Sequence, residues 1–139
     1  MSRRHGFWLA LLALGLSASG CASKEASQRA EVQKLQARAA YDRALSYLND
    51  KQPAPAVTAL QEAINVNPSS PVYRDTLGMV LLELGRAKEA EAAFRADMKK
   101  FPDNGWSLTG LQKSLEQQGR AKEAAEVKAK LEKAWRLAQ

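Results

Sequence analysis

The chain has 139 residues, 45% of them hydrophobic and 6% aromatic, with a formal net charge of +6. That apolar fraction excludes an intrinsically disordered chain and suffices for the core of one domain. Ala supplies much of it, which excludes a sheet rich in β-branched and aromatic residues and predicts an all-α protein. Basic and acidic side chains alternate, as in Lys122, Glu123, Glu126, Lys128, Lys130, Glu132 and Lys133. No concentrated basic face forms, so nucleic acid is not an expected partner.

Taken from the start, Met1 to His5 carries Arg3 and Arg4 and precedes an apolar run, Gly6 to Leu16. A charged segment followed by a short apolar one reads as a secretory signal, and the run falls short of the roughly 20 apolar residues that a membrane span needs. Small residues follow at Ser17, Ala18, Ser19 and Gly20, and then Cys21. This ending resembles the lipobox of bacterial lipoproteins, although Ala18 stands where that family most often has Leu. The resemblance implies a signal peptide over 1–20, cleavage before Cys21, a diacylglyceryl group on its thiol and further acylation of the new amino terminus. Several acyl chains anchor stably where one would not. Ala22 and Ser23 lack the retention Asp of inner-membrane lipoproteins, so the resemblance also implies the outer membrane, facing the periplasm. Removing the signal takes away Arg3 and Arg4, leaving 19 basic and 15 acidic residues and a charge of +4. It also removes His5, the only histidine, while Cys21 is the only cysteine.

Residues 22–36 are polar and helix-permissive, with Val32 and Leu35 at helical spacing. They either lengthen the first helix or form a spacer above the membrane. From residue 37 the chain repeats itself. Gly85-Arg86-Ala87-Lys88-Glu89-Ala90 recurs unchanged as Gly119-Arg120-Ala121-Lys122-Glu123-Ala124, and Pro68 pairs with Pro102, at an offset of 34 residues. That period belongs to helix-turn-helix repeats. In each unit a first helix ends at a residue that can turn left-handed: Gly85, Gly119, or Lys51 in the first unit. An Ala-rich second helix follows, and Pro68 or Pro102 stops it. Small residues (Ala56, Ala63, Gly78, Ala90, Ala124) admit close approach, and Tyr47, Leu60, Leu77, Leu81, Phe94, Leu111 and Leu115 fill the spaces between.

The pattern resembles the tetratricopeptide repeat over three units, 37–70, 71–104 and 105–138, within a domain spanning 37–139. The second unit is nearly complete, with Leu77-Gly78, Leu81, Ala90, Phe94 and Pro102. The first lacks the large residue usual early in its first helix. The third carries Lys128 where an apolar residue is usual, and its last helix, with Val127, Leu131, Ala134, Trp135 and Ala138 on one side, looks like a cap. The resemblance implies a right-handed, all-α helical solenoid with a C-terminal capping helix.

Catalytic constellations are scarce. Without His or a free thiol, zinc sites, haem sites and His-based triads lose their usual ligands and bases. Glu89 with Glu91, and Glu123 with Glu126, are expected on exposed faces beside Lys, and no phosphate-cradling Gly loop is present. No enzyme activity, metal or cofactor is expected. The family binds partners in a concave groove lined by the first helix of each unit. Carried over by position, the resemblance implies Tyr41, Leu45 and Leu48 in the first unit, Val72, Asp75, Met79, Leu82 and Glu83 in the second, and Trp106, Thr109, Lys113 and Gln117 in the third. Tyr41, Leu45 and Met79 equally suit a core role, and Trp106 equally suits packing on the preceding helix. The positions at which some relatives grip a chaperone's terminal carboxylate hold Tyr41, Leu45, Thr76, Trp106 and Gly110, so that clamp is absent. The expected partner is another envelope protein, such as a component of secretion, pilus or outer-membrane assembly. The alternative is a structural lipoprotein whose groove holds a second copy of the same chain.

Overall fold

The computed structural model describes residues 18–137, with side chains from Ala22 onward. The body of the expected signal peptide, the Cys21 side chain and Ala138 therefore lie outside the described residues. Among the described residues there are six helices and no strand: α1 (Ala18–Asn49), α2 (Pro53–Val66), α3 (Pro71–Glu83), α4 (Ala87–Met98), α5 (Gly105–Gln117) and α6 (Ala121–Leu137). None is long and apolar enough to cross a membrane.

The chain divides into two compact units, Met1–Gln33 and Lys34–Gln139. In the first, the described side chains all lie on α1 and all are exposed; the helix continues through residue 36 in the same exposed state. The second holds the core. Ala44, Leu60, Leu77, Leu81, Phe94, Leu108, Leu111, Leu115 and Val127 are buried together, and Ala37, Ala40, Ala63 and Tyr73 form a second cluster.

The 34-residue period is visible in the backbone. Lys51, Gly85 and Gly119 adopt φ of 58°, 70° and 72°. The amides that follow, of Gln52, Arg86 and Arg120, donate back to the carbonyls of Tyr47, Leu81 and Leu115 at 2.8–2.9 Å. The amides of Lys51, Gly85 and Gly119 donate to Leu48, Leu82 and Glu116 at 2.9–3.0 Å. This paired closure satisfies carbonyls at a helix end that would otherwise lack donors. Pro53 and Pro71 open α2 and α3, where a missing N–H costs nothing. The second helices end at Val66 and Met98, before the prolines expected to stop them. The α4 end is closed instead by the amides of Lys100 and Phe101 donating to the Asp97 carbonyl at 3.0 Å.

Phe94 sets the approach of three helices. A Cβ at Gly78 on α3 or at Gly110 on α5 would fall within the ring of Phe94 on α4. Only a residue with no side chain leaves room for the ring at either place. The fully buried ring thus brings α3, α4 and α5 together. In α6, Val127 is buried and Leu131 and Ala134 partly so, while Trp135 is 57% exposed and lies over Gly105. The other side of α6 carries Lys128, Lys130, Glu132 and Lys133, all exposed, as a terminal helix requires.

Candidate functional site

The first helices of successive repeats meet through equivalent residues. Between α1 and α3, the rings of Tyr41 and Tyr73 lie 5.0 Å apart at 35°, and Ala63 on α2 packs into the same cluster. Tyr41 Oη also lies 3.3 Å from Thr76 Oγ1. Moving each residue by 34 gives Asp75, Ser107 and Asp97, and these meet between α3, α5 and α4. The Ser107 hydroxyl lies 2.5 Å from Asp75 Oδ1 and 2.7 Å from Asp97 Oδ2. Asn104 Nδ2 donates to Asp75 Oδ2 at 3.0 Å and to Asp97 Oδ2 at 2.8 Å. An aromatic and small-residue junction in one repeat is therefore a carboxylate junction in the next.

Asn104 also caps α5, its Oδ1 accepting from the Trp106 amide at 3.1 Å. Asp97 and Ser107 are fully buried, and Asp97 Oδ1 has no hydrogen-bond partner. Burial raises the Asp75 carboxyl above the ordinary range; the bonds from Ser107 and Asn104 oppose this and the neighbouring Asp97 charge adds to it. Among the described residues no Lys or Arg pairs with Asp75 or Asp97.

Beside this junction lies a cavity of about 440 Å³, lined by Pro71, Val72, Asp75, Phe101, Pro102, Asp103, Asn104 and Trp106. Its apolar walls include the most open large side chains of this region, Val72 at 51% exposure and Trp106 at 77%. The spacing of Val72, Asp75 and Met79 on α3, and of Trp106, Thr109, Lys113 and Gln117 on α5, places each set along one helical face.

The expected groove residues separate by exposure. Leu45, Val72, Met79, Glu83, Trp106, Lys113 and Gln117 are exposed. Tyr41, Leu48, Asp75 and Thr109 are half-buried. The Tyr41 ring is occupied by Tyr73, Leu48 packs on the core, and the Thr109 hydroxyl donates to the Gly105 carbonyl at 2.8 Å. Leu82 is a correction: at 7% exposure it is buried in the main core with Leu81, Ala87 and Leu115, because the packing of neighbouring helices covers it. Trp106 does not pack into the preceding helix but stands open.

Glu91 is a second correction. Its side chain is 13% exposed, not on a solvated face. It accepts from Gln118 at 2.8 Å, Arg95 at 2.7 Å and Arg120 at 2.6 Å. Burial pushes its carboxyl up, but these three partners together hold it below the ordinary range. Arg120 also forks onto Glu123, the copy of the Arg86–Glu89 fork one repeat earlier. Among the described residues no cluster of three His, Cys, Asp or Glu could hold a metal ion.

Sequence reading missed Asp97, Ser107 and Asn104 as a site. The signal was available in the repeat itself: Asp97 occupies the column of Ala63 and Leu131, where a carboxylate is out of place.

A family described as "Tetratricopeptide repeat" matches residues 37–70, the unit that reads as less complete than the second. No curated protein matches the chain. Among solved structures, the chain is similar to a MamA structure (MSR-1), with 26% identity, a TM-score of 0.69 and coverage of 74% of this chain and 59% of that one. The Arabidopsis OM64 TPR domain is 22% identical, with a TM-score of 0.69 and coverage of 73% and 84%. The second TPR of Spaghetti (RPAP3), bound to an HSP90 peptide, is 16% identical, with a TM-score of 0.67 and coverage of 73% and 95%. The chain spans 54% to 59% of the length of the first MamA structures. Residues 37–70 thus match the tetratricopeptide repeat, and the chain shares the all-α helical-repeat fold of these structures.

Proposed function

We propose that the chain is a lipid-anchored scaffold of the bacterial envelope, held at the outer membrane through Cys21 and facing the periplasm, where it binds a segment of another envelope protein. A component of secretion, pilus or outer-membrane assembly is the expected kind of partner. The anchoring rests on the charged start, apolar run and small-residue ending before Cys21. The binding rests on one observation: Leu45, Val72, Met79 and Trp106 stay 41% to 77% exposed on α1, α3 and α5, the first helices of the repeats. Scattered exposed apolar residues are common, but four at the groove positions of three successive units suit a partner segment. Binding and positioning, not catalysis, is the role this surface supports.

The RPAP3 structure holds an acidic HSP90 peptide. A carboxylate-gripping role does not transfer to this chain. Tyr41 is tied to Thr76 and Tyr73, and Gly110 lies under the Phe94 ring, so no cation occupies those places.

A photocrosslinking amino acid placed at Trp106 or at Met79 tests the reading in intact cells. A defined heterologous adduct, lost when the same group is placed at exposed Lys130 on α6, is the expected result. Adducts with this chain alone would replace the scaffold reading by self-assembly.

A further inference from the structure

The chain is basic overall, yet the cavity beside Trp106 is lined by Asp75 and Asp103 and by no Lys or Arg. The buried Asp97 adds a third carboxylate directly behind Asp75, joined to it through Ser107 and Asn104. None of the three forms an ion pair among the described residues, and one oxygen of Asp97 accepts no hydrogen bond. Two cations of the adjoining segments pair with none of these carboxylates: Arg74 donates to the Pro68 carbonyl at 2.5 Å, and the Lys100 ammonium lies 5.7 Å from the centre of the Phe101 ring, one of the recess walls. A basic protein thus lines one apolar-walled recess with carboxylates and no Lys or Arg, and leaves those carboxylates without an ion pair among the described residues. Val72 and Trp106 offer walls for an aliphatic stem, and the indole face also attracts a cation.

We propose that this recess receives the Lys or Arg side chain of a partner protein's segment, its stem against Val72 and Trp106 and its charged end toward Asp75 and Asp103. The inference rests on the reading of this face as a partner-binding surface and names the chemistry selected there. An acidic or purely apolar segment leaves the carboxylates unanswered, and burying them without a counter-charge is costly. A basic segment supplies the counter-charge while covering Trp106.

The test is an NMR titration of the full chain with three capped amino-acid amides, N-acetyl-lysine, N-acetyl-arginine and N-acetyl-norleucine methylamide, followed at the Trp106 indole N–H. The lysine and arginine amides are expected to bind about tenfold more tightly than the norleucine amide, a difference of about 1.4 kcal/mol, and to lose that margin at high salt. Asp103→Asn, at an exposed position that leaves the buried junction intact, should narrow the margin, and Trp106→Ala, followed at the backbone amides of Val72 and Asp75, should weaken all three ligands. Equal binding of the three amides, or no response at Trp106, overturns the proposal. The crosslinking experiment separates the two readings. A heterologous adduct at Trp106 with no preference for basic amides leaves the scaffold standing without this selectivity. Preference for basic amides without any heterologous adduct leaves the recess standing without the scaffold.

Discussion

Ser107 donates one hydroxyl proton into a junction where Asp75 and Asp97 both lie within 2.7 Å of its oxygen, at the place where Tyr73 meets Tyr41 one repeat earlier. The same backbone repeat thus carries an apolar contact between α1 and α3 and a polar one between α3 and α5. Specific consequences for stability follow from the difference.

Truncating Ser107 removes the hydroxyl between the two carboxylates and leaves them only the shared Asn104 amide. Ser107→Ala should cost about 1–3 kcal/mol in chemical denaturation, the range for an unsatisfied buried polar group. Transplanting the first junction, as Asp75→Tyr with Asp97→Ala and Ser107→Tyr, should be neutral or stabilising, since well-packed apolar groups often match buried polar ones. A transplant far less stable than Ser107→Ala would show that the polar junction contributes more than the packing it displaces.

The two buried-side carboxylates predict opposite pH responses. Asp75 is raised by burial, so the folded chain holds its proton more tightly than the unfolded chain. Its contribution is full below the ordinary Asp range and fades as pH rises through the raised value. Glu91 is held low by Gln118, Arg95 and Arg120 against burial, so its contribution is present above the ordinary Glu range and fades as pH falls. Asp75→Asn should flatten the fall on the alkaline side of the acid range, and Glu91→Gln should flatten the loss toward acid. Melting temperatures across pH 3 to 7, as about four units of titration, would expose both slopes.

Gly78 and Gly110 should each resist Ala. Although Ala favours a helix by about 1 kcal/mol over Gly, the added methyl meets the Phe94 ring, and overpacking costs about 1–3 kcal/mol. Phe94→Leu should relieve both substitutions while costing stability by itself, so a double-mutant cycle should show strong coupling. Additive effects would mean that the ring does not set the spacing of α3 and α5.

Lys51 is the non-glycine residue among three left-handed helix ends, at φ 58°. Lys51→Gly should raise stability by up to about 1 kcal/mol, because a side chain in this region is strained by roughly 1–2 kcal/mol and the greater freedom of unfolded Gly takes some of that back. Gly85→Ala, at φ 70° with open space around it, should lower stability by a similar amount for the same reason. Comparison of the two denaturation midpoints separates strain from packing.

Anchoring has its own check. Cys21→Ser should release the chain from membranes in fractionated cells, since the serine cannot take the thioether-linked lipid. Unchanged retention would falsify the lipobox reading while leaving the binding surface untouched.

Much of the fold was legible before any coordinates. The hexapeptide repeated at Gly85 and Gly119 carries a local signal: a left-handed turn and an Arg–Glu fork depend on residues within a few positions, so sequence alone places them. Lys51 could be assigned to the same turn because the period, not its residue type, marks the place. The apolar spacing of Leu77, Leu81 and Leu111, Leu115 likewise determines which faces turn inward, through helical geometry alone. Other features depended on which helices become neighbours. Leu82 and Glu91 read as exposed along their own helices, and only the packing of the repeats buries one and surrounds the other with Gln118, Arg95 and Arg120. Asp75, Asp97, Asn104 and Ser107 are spread over 33 residues on three helices and a loop, and their shared junction exists only in three dimensions. Sequence determined the repeat, its turns and its core faces, because those are set by local backbone preference and period. Tertiary structure alone decided that one junction gathers uncompensated carboxylates beside an open Trp106, because charge and burial depend on every element packed around a group.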